Sequence, residues 1–208
     1  LEEALLVNEK KDLRSVIVNV MREDIRNSLA SLALALDSED SETSHYAAAV
    51  LSDELNKFRI FVQKQLIQIR GKKHSDTESE EILLDYMDSI LKQHVFSEQE
   101  QHKYVNEMKE VAALLYEKDA SRITLERYEA VCLRILERKD FESVEKWCLR
   151  MEEHYPEELS TYTCKLKLYF ARQDRKRFFE TLDALKRSDV VIDRETLELI
   201  RIFSTRRR

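Results

Sequence analysis

"KDFESVEKWCLRMEEHYPEELSTY" (139–162) decides how this chain is read, because it holds Pro156, the single proline in 208 residues. The single glycine, Gly71, lies far upstream. The triplet "RKD" at 138–140 leads into this stretch, and a close copy, "RQD", returns at 172–174, 34 residues later. A chain with almost no breakers has placed its proline just before a repeated pattern resumes.

Glycine and proline punctuate turns and strands. With one of each, tight β-hairpins are not expected. Phosphate-cradling loops and dinucleotide fingerprints need at least two glycines at fixed spacing, so neither motif can be written here. Helix-favouring residues dominate, and the fold class expected is all-α. The chain is 43% hydrophobic and 37% charged, enough for a core under a heavily solvated surface. No apolar run approaches the ~20 residues of a membrane span. The first residue is Leu1 and not Met, so the expectation is a cytoplasmic protein or the cytoplasmic part of one anchored upstream of Leu1.

Apolar residues at steps of three and four predict the helices. Leu13, Ile17, Met21, Ile25, Leu29, Leu32 and Leu36 mark one from about residue 5 to 36. "DSEDSETS" (37–44) interrupts it. Leu51, Leu55, Phe58, Val62, Leu66 and Ile69 mark a second, from about 44 to 70. Two long stripes with a short polar connection predict an antiparallel helical hairpin over residues 1–72. "GKKHSDTESEE" (71–81) is the candidate linker into a connecting region, 73–122. There, Thr77 with Glu80 and Ser97 with Glu100 have capping-box spacing. The helices after them should bury Ile82, Leu83, Tyr86, Met87, Ile90 and Leu91, then Tyr104, Met108, Val111 and Leu115.

From 123 to 208 the expected helices are shorter and regular: 124–138 with 141–154, 157–171 with 175–187, and a last one at 194–204. Asp140, Asp174 and Asp193 stand where N-caps belong. Tyr128 aligns with Tyr162, Ile135 with Tyr169, Cys148 with Leu182 and Met151 with Leu185, each pair 34 residues apart. This is the period of a tetratricopeptide repeat. "KDFESVEKWCLRMEEHYP" resembles the second half of that repeat, with Pro156 where the repeat's proline sits. Pro156 is also expected to open the next helix in its first turn, followed by Glu157 and Glu158. The small residues of the family pattern are replaced by Cys132, Leu166, Val144 and Phe178, and the second copy lacks a proline. In the same way "LDSEDSETSHYAAAVLSDEL" (36–55) resembles a HEAT-type repeat, with an acidic loop and an alanine-rich helix start.

The tetratricopeptide resemblance implies an α-solenoid whose first helices line a groove. Glu126, Glu129, Leu133 and Leu136 would face it from the first copy, and Thr163, Lys167 and Phe170 from the second. A capping helix would add Arg194, Leu197 and Arg201. The partner-binding residues expected are therefore Leu133, Leu136, Lys167, Phe170, Leu197 and Arg201. The apolar ones would anchor a partner segment, while Lys167 and Arg201 favour an acidic one. The family's clamp for acidic chain ends uses lysine and asparagine in the first copy. Glu129 stands there instead, so an acidic C-terminus is not the expected ligand.

Other chemistry finds little purchase. "DSEDSE" lacks the glycine and the terminal acid of a calcium loop. His45, His74, His94, His102 and His154 form no ligand pattern. Cys132, Cys148 and Cys164 are odd in number and match no zinc spacing. They read as buried, free thiols on apolar faces. From Lys165 onward, 13 basic residues face 7 acidic ones, and "RQDRKRFF" (172–179) and "RRR" (206–208) are the basic patches. No enzyme, cofactor, metal or small-molecule substrate is expected. The function expected is a helical-repeat scaffold or adaptor that binds another protein. The first alternative is the cytoplasmic part of a membrane-anchored subunit, by architectural resemblance to bacterial polysaccharide-secretion assemblies of the Pel type. The second is nucleic-acid binding through the basic C-terminal end.

Overall fold

The computed structural model describes Leu36 and residues 40–71 and 77–205. The helix expected upstream of 36 and the "RRR" tail lie outside the described residues. Among those described, 84% are helical and none is in a strand, so the chain is all-α. It separates into two compact units, one up to Arg122 and one from Ile123.

The first unit holds α1 (Ser41–Gly71), α2 (Glu78–Leu91) and α3 (Glu98–Asp119), ending in a 3-10 turn at Ala120–Arg122. Asp40 caps α1 by accepting from Thr43 N at 3.1 Å. The buried stripe of α1 is Ala47, Leu55, Phe58, Val62, Leu66 and Ile69, and Leu51 is only half-buried. Phe58 meets Tyr86 of α2 at 5.5 Å between ring centroids, and Phe96 and Tyr104 at 5.0 Å each. Aromatic pairs of this geometry add about 0.5–1.5 kcal/mol each beyond the area they bury. Among the described residues, the helices of 77–122 therefore share one core with α1, and most of the hairpin expected over 1–72 lies outside the described residues.

Two expected caps differ in detail. Ser97 accepts from Glu100 N at 3.3 Å, as its spacing predicts. Thr77 precedes α2 but makes no cap bond; its hydroxyl donates to Glu81 Oε1 at 2.8 Å. Glu80 turns inward, 1% exposed, and forms an ion pair with Lys118 of α3. Glu81 pairs with Arg122 at 2.7 Å. The acidic first turn of α2 thus also holds the end of α3.

The second unit holds α4 (Leu125–Glu137), α5 (Phe141–His154), α6 (Leu159–Ala171), α7 (Arg175–Arg187) and α8 (Arg194–Thr205). Helices α4 and α6 begin and end 34 residues apart, and α5 and α7 begin 34 apart. The repeated triplet is the turn between paired helices. Arg138 and Arg172 are the C-caps, and Asp140 and Asp174 the N-caps. These aspartates accept from Ser143 N at 3.2 Å and Arg177 N at 3.1 Å. Between cap and cap, Lys139 and Gln173 take φ of 59° and 61°, left-handed geometry more often given to glycine.

Pro156 sits otherwise than expected. Its ring bars Tyr155 from helical geometry, and α5 ends at His154. The next helix does not start until Leu159, because the Tyr155 carbonyl accepts from Glu158 N at 3.5 Å and from the Thr161 hydroxyl at 2.6 Å. The proline thus lies in a turn before the helix, and Glu158 holds the N-cap position with no side-chain bond.

Candidate binding groove

Helix α6 places Ser160, Thr163, Lys167 and Phe170 along one face at steps of three and four. Helix α8, capped where Asp193 accepts from Thr196 N at 2.7 Å, presents Thr196, Leu199 and Phe203 at the same kind of step. With Glu129 from α4 and Phe178 from α7, these faces line a cavity of about 440 Å³. Its floor is core: Leu166, Phe178, Leu182 and Leu185 form a buried cluster against which Leu199, Ile200 and Phe203 pack.

Phe170 stands at the mouth, 65% exposed. Its ring lies 6.1 Å from Phe178 and 6.4 Å from Phe203, which are themselves 4.9 Å apart. Rings this close touch one another, so they form an apolar wall and not an open cage around a cation. The rim is charged. Glu129 Oε2 accepts from the Ser160 hydroxyl at 3.0 Å. Hydrogen bonds from the backbone and side chain of Thr196 hold the Asp193 carboxyl below its usual range, with help from the Lys167 ammonium. Glu195 is exposed at the opening.

Of the six residues expected to bind a partner, the cavity lining includes Lys167 and Phe170, along with Glu129 and Thr163. Leu133 and Leu136 are half-buried and stand outside the lining. They lie one and two turns beyond Glu129 on α4, which packs directly on α6. Leu197 and Arg201 are also outside it, because the lining face of α8 runs through 196, 199 and 203, and 197 and 201 fall to its side. The loop 188–193 resets the phase of α8, so repeat numbering carried from α6 does not reach it. The lining also takes in Leu159, at the start of α6, and Leu199 and Phe203, whose signal was the amphipathic spacing of α8 itself.

The cysteines are brought together. Cys132, Cys148 and Cys164 come from α4, α5 and α6 and are all buried. Cys132 Sγ lies 3.9 Å from Cys148 Sγ. Hydrogen bonding with Cys148 and Cys164, then burial, pushes the Cys132 thiol well above its ordinary range. Neutral buried thiols react slowly. In the folded protein all three should label slowly with a thiol reagent, and all three together on denaturation. Fast labelling of Cys132 in native buffer would contradict this burial. Among the described residues, no group of three or more His, Cys, Asp and Glu is placed to hold a metal ion.

Of the four cations in the basic stretch 172–179, Arg172 and Arg177 are held by carboxylates, while Arg175 and Lys176 are exposed. Arg172 and Arg177 both pair with Glu145 of α5, Arg177 also lies 3.6 Å from Asp174, and its guanidinium is 5.7 Å from the Tyr169 ring centroid. In the first unit, a cleft between α1 and α3 collects Arg59, Arg70, Lys103, Glu100 and Glu107. Its charges counter one another: Arg59 holds Glu100 through two bonds of 2.9 and 3.1 Å, and Arg70 reaches Glu110 at 3.5 Å. No described helix is long and apolar enough to cross a membrane. Compared with protein-family models, curated proteins and solved structures, the chain matches none.

Proposed function

We propose that the second unit is a non-enzymatic protein-binding module, a tetratricopeptide-like scaffold or adaptor whose groove takes apolar side chains of a partner segment. The observation that carries this reading is Phe170, a large aromatic left 65% exposed at the mouth of a 440 Å³ cavity with an apolar floor. Interface energy concentrates in a few such desolvated anchors. The 34-residue recurrence of helices, turns and caps supports the repeat reading. Three buried free thiols suit a reducing, cytoplasmic setting.

The test is selection of short random peptides on the full chain, followed by affinity measurement on Phe170→Ala and Leu133→Ala. Phe170→Ala should weaken the selected peptides about tenfold or more while leaving the unfolding midpoint nearly unchanged. Leu133→Ala, outside the lining, should leave affinity intact once its fold is checked. Selected peptides indifferent to Phe170→Ala would sink the groove as the working surface.

A further inference from the structure

We infer that the groove selects a basic protein segment, one whose apolar or aromatic anchor is flanked by lysine or arginine. This rests on the protein-binding reading above and adds to it the charge of the partner.

The charged groups that line the cavity are Glu129, Lys167, Asp193 and Glu195. Three carboxylates thus face one ammonium. Hydrogen bonds from Thr196 chiefly hold the Asp193 carboxyl below its usual range, and the Lys167 charge makes the smallest contribution to the same effect. That leaves the excess negative charge on Glu129, at the α4 side, and Glu195, at the opening of α8. The two are on different helices, so a segment lying along the groove meets a carboxylate from each wall.

The neighbouring cations do not reverse the balance. Arg201 is exposed but outside the lining. Arg194 sits 3.7 Å from Glu198 on its own helix. Lys165, on the far face of α6, is held by Glu152 at 2.5 Å. An acidic flank would meet like charge at two points, Glu129 and Glu195.

Charge at a groove rim chiefly sets partner choice and encounter rate, while the apolar floor supplies affinity. The floor is the buried cluster around Leu166 and Phe178, and the apolar surface left for an anchor to cover is that of Phe170, 65% exposed at the mouth. The partner chemistry is therefore a bulky apolar residue with positive neighbours, and its binding weakens as salt screens the rim.

The experiment reads the same peptide selection for charge. Peptides whose binding depends on Phe170 should carry net positive charge around a bulky apolar residue. For the tightest of them, exchanging the flanking basic residues for glutamate should weaken binding about tenfold at low salt, and the gap should narrow as salt rises. Glu195→Gln combined with Glu129→Gln should shrink the same gap. Phe170-dependent peptides that are acidic, or that tolerate the exchange, overturn the charge inference and leave the groove reading standing. Absence of any Phe170-dependent peptide overturns both.

Discussion

Tyr128→Ala is expected to destabilise the second unit by about 3–5 kcal/mol, the usual range for deleting a large buried aromatic. Tyr128 is fully buried, with ring centroids of Trp147, His154 and Tyr155 at 6.0, 6.1 and 5.9 Å. It joins the middle and the C-terminal end of α5 to α4, so the cavity left behind has walls on two helices and little freedom to collapse. Tyr162, 34 residues on, is only half-buried at the edge of the Leu166–Phe178 cluster. Its truncation should cost roughly half as much or less. Trp147 is the sole tryptophan in the chain and reports on this unit alone, so denaturant unfolding followed by its fluorescence separates the two variants. Equal losses at 128 and 162 would mean that repeat position, and not burial, governs the cost.

The second large effect belongs to Lys118→Met. Glu80 is 1% exposed and its charge is met by the Lys118 ammonium, whose side chain is 26% exposed. Removing one partner of a buried pair leaves a carboxylate without compensation, a loss of about 3–5 kcal/mol, whereas replacing both by apolar residues is often neutral. Glu80 also sits in the first turn of α2, where the helix dipole gives a carboxylate partial relief. The lower end of that range is therefore expected. Glu80→Leu with Lys118→Met should recover most of the loss. Thermal unfolding followed by circular dichroism measures both. A double variant as unstable as the single one would show that packing around Lys118, and not charge, is what the substitution damages.

Features written in neighbouring residues were legible in the sequence. Three helices of the second unit, α5, α7 and α8, follow from aspartates followed by apolar steps, and Asp140, Asp174 and Asp193 cap as their positions require. Tyr104, Met108, Val111 and Leu115 form the buried face of α3 that their spacing predicts. What escaped is what depends on a partner far along the chain. Glu80 has the spacing of a capping residue, yet Lys118, 38 residues away, draws it inward. The sixteen-residue intervals between cysteines carry no motif, but each interval spans one helix and one turn, so three thiols arrive at one place. Lys167 and Phe170 line the cavity because they share one face of a helix, and Leu197 and Arg201 lie outside its lining because the phase of α8 is set by an irregular loop that repeat numbering does not count.

The two turns built around Lys139 and Gln173 have a consequence for how the second unit comes to be folded. Each joins its helix pair across three residues, Arg138–Lys139–Asp140 and Arg172–Gln173–Asp174, so the two helices that must meet are never far apart along the chain. Closing so short a connection sacrifices little chain entropy, and topologies made of such neighbouring contacts fold quickly. The two pairs are then joined by the direct contacts of α5 and α4 on α6. Using lysine and glutamine in place of glycine at the left-handed positions also narrows the conformations of the unfolded chain, so the search each turn must make starts from a smaller ensemble.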